Sequence, residues 1–273
     1  MNKNKLKYGT IGLAALLLAP LAHAEIAVPI EGLDVNIVGI AVGSVPDYWG
    51  SSKNEGAFGP YARYQFEGSQ RYVQLLGPEL TVNLLNDSNW RLGPLLRYRS
   101  ARDNDVEDNI VKQMDEVDDA IEGGVFLTYK LPLSDVPLHQ VTFSGDVESG
   151  KNGTEGHLKV NYFQPFSKTI IGNIGLGMTY GNDEFMENYF GVTSQHDINL
   201  YPSLGGKAYD ASSGVVGWNI PFGVSAFLTP EWLLSVGGRY ERLVSDAKDS
   251  PVVDQRGDAN QWIGGVGIAY VFK

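Results

Sequence analysis

Cysteine is absent from all 273 residues. That excludes a disulfide framework, a thiol nucleophile and a lipid-anchoring Cys behind an export signal. Only four His occur, and no cluster has the ligand spacing of a zinc site. No G-x-S-x-G elbow is present, and no glycine-rich phosphate loop. Basic residues are short too: 21 Lys and Arg face 32 Asp and Glu, a net charge of -11. Phosphate backbones need a basic surface, so nucleic acid is not an expected partner. After Leu18 no apolar run approaches the roughly 20 residues that a membrane-spanning helix requires.

The chain does have an N-terminus built for export. Lys3, Lys5 and Lys7 form a positive region, Ile11 to Ala19 an apolar run, and Ala22-His23-Ala24 a small-residue cleavage site. Residues 1–24 are therefore expected to be a cleaved signal peptide, with 25–273 the mature domain. Removing three of the 21 basic residues and none of the 32 acidic ones moves the net charge from -11 to -14. An exported chain without disulfides needs another source of stability. Closing a sheet into a barrel supplies it, because every strand edge is then paired.

The periodicity is that of strands. Trp90, Leu92, Pro94, Leu96 and Tyr98 alternate with Arg91, Gly93, Leu95, Arg97 and Arg99. Side chains of a strand point to opposite faces, so one face suits lipid and the other a polar lumen. Trp232, Leu234, Val236, Gly238 and Tyr240 oppose Ser235, Gly237, Arg239 and Glu241 in the same way. So do Val216, Trp218, Ile220, Phe222, Val224 and Ala226 against Gly217, Asn219, Gly223 and Ser225. The final stretch sets Trp262, Gly264, Val266, Ile268, Tyr270 and Phe272 on one face. It resembles an outer-membrane assembly signal, with Lys273 after the aromatic.

Loop lengths give the topology, since periplasmic turns are short and outer loops long in such barrels. Counting back from Phe272, the long segments are 243–260, 181–213, 148–156 and 100–119. The short ones are 229–231, 167–168, 131–137 and 85–89. Towards the N-terminus, 45–57 reads as an outer loop and 67–70 as a periplasmic turn. Parity then asks for a reversal at Gly77-Pro78, a common turn dipeptide. The expected fold is all-β, a closed antiparallel transmembrane β-barrel of 12 strands. The alternative is 10, with 34–44 outside the wall.

Candidate chemistry is thin. The loop Asp103-Asn104-Asp105-Val106-Glu107-Asp108 is rich in calcium-type oxygens but lacks the spacing of an EF-hand, so a solvated acidic loop is the expected reading. Asp118-Asp119 and His196-Asp197 could suggest acid–base work, which requires hydrogen-bond reach that nothing in the sequence provides. His139 and His157 are placed near strand ends, where imidazole is a common interfacial residue. Arg63, Arg91, Arg97, Arg99 and Arg239 could line an anion-selective pore. The favoured alternative pairs them with Glu79, Glu122 and Glu241 to buttress a filled lumen. No catalytic, cofactor-binding or metal residue is assigned, and neither an enzyme nor a cofactor is expected.

Several loop motifs point to a family. Pro46-Asp47-Tyr48-Trp49-Gly50-Ser51, Leu84-Leu85-Asn86-Asp87, Asn89 to Pro94 and Val117 to Glu122 occur in order. Tyr189-Phe190-Gly191-Val192-Thr193, Tyr209-Asp210-Ala211, Ser250-Pro251-Val252-Val253 and Asn260-Gln261 follow. Together they resemble the MipA/OmpV family of Gram-negative outer-membrane proteins. The resemblance implies a barrel in contact with outer-membrane lipid and lipopolysaccharide. It also implies a non-catalytic scaffold that joins a lytic transglycosylase to a peptidoglycan synthase. The alternatives are a small channel for polar solutes, or an adhesin using the loop aromatics Tyr48, Trp49, Phe185, Tyr189 and Phe190.

Overall fold

The computed structural model describes residues 34–200 and 203–272. The expected signal peptide, and Lys273, lie outside the described residues. The wall consists of β1 (Asn36–Pro46), β2 (Asn54–Gln65), β3 (Tyr72–Leu76), β4 (Glu79–Asn83), β5 (Trp90–Arg99) and β6 (Ala120–Pro132). It continues through β7 (Gln140–Gly150), β8 (Gly153–Pro165), β9 (Ile170–Gly181), β10 (Gly214–Phe227), β11 (Trp232–Leu243) and β12 (Asn260–Phe272). Each strand pairs antiparallel with its neighbours in sequence, and β1 pairs with β12 to close the barrel. The reversal expected at Gly77-Pro78 is there: Gly77 has φ +54, a conformation cheap only without a side chain, and joins β3 to β4. Twelve strands, not 10, build the wall.

The alternation read from β5 holds, with Trp90, Leu92 and Leu96 exposed while Arg91, Leu95 and Arg99 are buried. Aromatics cluster in two girdles, as interfaces favour. Trp90–Tyr129 and Trp232–Tyr270 sit at the periplasmic ends, with ring centroids 4.6 and 5.3 Å apart. Trp218–Tyr240 and Tyr240–Trp262 form the outer girdle, at 5.6 and 4.8 Å. Small residues face each other along the β1–β12 seam, where Gly43 pairs with Gly265 and Ser44 with Gly264. A Cβ on Gly43 would stand 2.4 Å from the Gly264 carbonyl oxygen. The strands approach that closely only because the side chain is missing.

Three expectations about the wall need correcting. The outer loop expected at 148–156 is a two-residue turn, Lys151-Asn152, because β7 and β8 pair as far as Gly150 with Gly153. Glu148 and Glu155 are therefore wall residues facing inward. Val216 does not face lipid, since a register shift between Val215 and Gly217 turns it into the buried outer core. His157 is no interfacial residue: it lies on the luminal face of β8, hydrogen-bonded to Asp146.

The longer outer loops form a lid. They contain the helices α1 (Asp183–Phe190), α2 (Gln195–Ile198), α3 (Ser245–Asp249) and α4 (Pro251–Asp254). Asn182 caps α1 by accepting from the Phe185 N–H, and Ser250 caps α4 by accepting from that of Val252. Phe185, Met186, Tyr189, Phe190, Val216, Leu243 and Val253 share one buried cluster. Tyr48, Val106, Val111, Met114, Val192, Leu204 and Val252 form a second.

Candidate functional site: the lumen and its two ends

The inward face carries two kinds of side chain. From β1, β2, β3, β9, β11 and β12, the side chains of Ile37, Ala41, Tyr61, Leu76, Ile171, Leu233 and Ile263 pack into an apolar plug across the lumen. Re-exposing such side chains costs about 1.5–3 kcal/mol each, so this part of the interior is not a passage.

The rest of the inward face is a charge network. The Arg97 guanidinium donates to Glu79 at 2.5 Å and is also paired with Glu148 and Glu155. Arg99 clasps Glu122 through Nε and Nη2, at 2.8–3.1 Å, and contacts Glu155. A two-pronged clasp of this kind is the strongest form of the pair. Arg239 pairs with Glu241 at 3.2 Å. The three carboxylates expected as buttresses, Glu79, Glu122 and Glu241, are thus the actual partners. The sequence reading missed Glu148, Glu155 and Asp146, because loop parity had put the first two in a loop.

Near the periplasmic end, Arg63, Arg91 and Lys130 converge on Asp34, just ahead of β1, at 2.7, 3.4 and 2.8 Å. The Arg63 guanidinium also lies over the Tyr72 ring, 3.8 Å from its centroid, a stacking that Arg favours. Asp34 was the missing signal here. Its register becomes visible only once β1 is known to belong to the wall.

Two polar chambers remain between plug and network. The outer one is lined by Trp49, Pro78, Glu79, Arg97, Tyr98, Glu155, Lys159 and Arg239, with about 50 Å³ free. The inner one is lined by Arg63, Gln74, Arg91, Thr128, Lys130, Thr142, Asp146 and Lys159, with about 90 Å³. A water needs about 10–15 Å³ on this measure, so each holds a handful of waters and neither is a wide pore. Arg63, Arg91 and Arg239 Nε and Glu155 Oε2 find no hydrogen-bond partner among the described residues. All four residues line these chambers.

The lid closes the outer end. Tyr48, Phe185, Tyr189 and Phe190 are 0–2 % exposed, and Trp49 packs edge-on to Phe185 at 5.5 Å. This corrects the adhesin reading, which needed those aromatics on the surface. They are the core of the lid instead. Arg99 stands beneath them, 5.6–5.9 Å from the rings of Trp49, Phe185 and Tyr189. Arg102 donates to the Tyr189 carbonyl and the Ser250 hydroxyl to that of Phe190.

In the acidic loop, Asp108 accepts from the Ile110 and Val111 N–H groups, ahead of the short helix Val111–Gln113, and binds Arg256 at 2.7 Å. Burial works against its charge, yet Arg256 and the two backbone N–H groups hold its carboxyl below the ordinary value. Burial, then the charge of Asp108, push the nearby Tyr48 hydroxyl up. Asp118 pairs with Lys151, and His196 sits against the Gln113 carbonyl at 2.7 Å. The two adjacent-residue pairs considered for acid–base work are thus tied to separate partners.

The family motifs fall at these closures. Gln261 donates to the Ser51 carbonyl, and the Gly50 N–H donates back to its side chain. Asp87 accepts from the Asn89 and Trp90 N–H groups at a periplasmic turn. Residues 38–272 match the family model described as MltA-interacting protein MipA. The outer membrane protein Omp26La of Vibrio anguillarum is 28% identical over 165 residues, covering 60% of this chain and 59% of that protein. Outer membrane protein OmpV of Vibrio cholerae serotype O1 matches with the same identity and coverage. The chain thus spans about three-fifths of the length of the curated relatives it matches. Among solved structures, an outer membrane channel from Pseudomonas putida F1 aligns with a TM-score of 0.49 at 14% identity, over 88% of this chain and 96% of that one. With matched residues running from β1 to β12 and relatives named for the outer membrane, this chain is a Gram-negative outer-membrane β-barrel belonging to the MipA family.

Proposed function

We propose that the barrel is a non-catalytic scaffold that holds murein-remodelling enzymes, a lytic transglycosylase with a peptidoglycan synthase, at its periplasmic face. The observation that carries this reading is a lumen filled by plug and charge network and roofed by the lid. Such a molecule presents surfaces rather than a passage. The family's description names an interaction with MltA, and the periplasmic rim has side chains that suit docking. Leu133 and Val136 stand 45 % and 54 % exposed on the turn between β6 and β7, and Phe166 and Leu228 are also exposed. Exposed apolar residues beside polar ones are the usual core of an interface. Pull-down from solubilised outer membrane should enrich a lytic transglycosylase over an unrelated barrel, and Leu133→Asp with Val136→Asp should lower the yield. No enrichment by the parent protein overturns the scaffold.

A second reading, a narrow route for small polar solutes, is favoured by one observation. The two chambers share Leu76, Glu79 and Lys159 and so adjoin. Planar-bilayer recordings separate the readings: the scaffold stays silent where a control porin conducts, and steady unitary currents would favour the route.

A further inference from the structure

The wall is not equally tall all round. β3 and β4 have only five residues each and turn back at Gly77-Pro78. The β3 ladder therefore covers β2 only from Tyr61 to Gln65. Above it, among the described residues, 54–59 of β2 pair with β1 alone. On the far side, the last β4–β5 contact is the Tyr98 N–H to the Pro78 carbonyl. β2 and β5 stand three strand spacings apart at the turn, roughly 14 Å. The result is a notch in the outer half of the wall.

The notch exposes backbone at membrane depth. The Gly77 N–H donates to the Pro60 carbonyl, so Pro60, Phe58 and Gly56 point their backbone groups towards the notch. Proline, with no N–H, suits such an edge. Phe58 lies opposite Val42, which is 51 % exposed in the lipid-facing band, and Gly56 lies opposite Ser44 near the outer girdle. A Cβ on Gly56 would meet nothing within 4 Å. An open strand edge is not tolerated against hydrocarbon; it must line a wet cavity or meet a polar ligand.

The outer chamber supplies the polar side. Its lining combines inward residues such as Arg97, Glu155 and Arg239 with Pro78 on the turn and Tyr98 on the lipid-facing side of β5. A cavity with both kinds of wall residue reaches through the wall. Arg97 and Glu79, which stand next to the turn, are partly exposed at 15 % and 18 %, as is Arg239 at 14 %. The apolar rim is made by Phe58, Pro60, Leu80 and Leu96.

We propose that this notch is a lateral docking site for a phosphate-bearing lipid of the outer leaflet. Acyl chain lies along Phe58, Leu80 and Leu96. The headgroup meets Arg97 with its phosphate, and its hydroxyl or amine donors meet Glu79 and the Phe58 carbonyl. Water alone satisfies the edge but leaves the apolar rim unmatched; an amphiphile satisfies both. The small free volume of the outer chamber admits only the tip of the headgroup.

Trp49 lines the same chamber and serves as the reporter. In a variant with Trp90, Trp218, Trp232 and Trp262 changed to Phe, Trp49 emission is read in phosphatidylcholine vesicles with and without brominated acyl chains. Folding is first checked by heat-modified gel mobility. Bromine should quench Trp49. The quenching should vanish in Gly56→Phe, or in Gly56→Leu where Phe is not accepted, because either side chain fills the opening. Gly264→Phe, on the lipid face of β12, should leave the quenching unchanged. An unquenched Trp49, or equal quenching with Gly56 replaced, overturns the proposal.

Discussion

Replacing Arg99 with Met tests whether the luminal network holds the barrel together. The substitution keeps the length of the side chain and removes its charge. Glu122 then loses its two-pronged partner, and Glu148 and Glu155 lose part of theirs, while their side chains stay 0–2 % exposed. Removing one member of a buried pair leaves a charge that water cannot reach, at a cost of about 3–5 kcal/mol. For a chain of this size each kcal/mol moves the melting temperature by about 2–4 °C, so a fall of roughly 6–20 °C is expected. The assay is the temperature at which the compact, heat-modifiable gel band converts to the unfolded one. Adding Glu122→Gln to Arg99→Met should recover more than half of the loss, because Arg97 still compensates the other two carboxylates. Arg99→Lys should fall between the two, since an ammonium keeps the charge but neither clasps Glu122 nor lies flat under the lid aromatics. A fall within about 2 °C, or no recovery in the double variant, would refute the idea that Arg99 offsets buried carboxylates.

Three further outcomes are expected. Leu96→Arg puts a charge on a 49 % exposed lipid-facing position and should cost about 2–4 kcal/mol near the midplane. Folded protein in the outer membrane should drop, while Leu96→Phe leaves it unchanged; equal amounts would show that this face does not meet lipid. Gly93→Ala would bring a Cβ to 1.7 Å from the Val82 carbonyl oxygen, beside the three-pair β4–β5 ladder. Backbone must then shift, so heat-resistant protein should be lost, and a wild-type yield counts against that close approach. The third outcome concerns pH. Asp108 is held below its ordinary value of 3.8, so its tie to Arg256 is complete above that value and lost as pH falls through the lowered one. Limited proteolysis within 100–119 should begin only in that acid range, whereas Asp108→Asn should be cut at neutral pH. Cleavage of the parent at pH 6 would contradict this.

The strands were legible because lipid and lumen impose opposite demands on alternate residues, as Trp90 to Arg99 shows. The short hairpin followed from loop parity, which asked for a reversal, and from the Gly77-Pro78 turn dipeptide, which placed it. What the alternation could not reveal was contact across the interior. Glu155 reads as loop until β7 and β8 are seen to run on to Gly150 and Gly153, and Asp34 binds Lys130, which is remote in sequence. The lid was illegible for a different reason. Its helices have four to eight residues each, too short to show a period, and its aromatics find their partners only when four loops converge. Tyr48 and Phe190 look the same in sequence whether they face water or each other.

The glycine-lined meeting of the first and last strands has a consequence for biogenesis. Asn36 and Phe272 lie far apart along the chain yet pair directly, and contacts so distant in sequence form late. Until then both strands present raw edges that any other strand could capture. Gly39, Ala41, Gly43, Gly265, Gly267 and Ala269 carry almost no rotamer freedom to freeze, so setting this joint demands little beyond backbone ordering. A single bulky side chain at Gly43 would hold the sheet open at its most vulnerable stage, and the damage would show as stalled, aggregating precursors rather than as a less stable finished barrel.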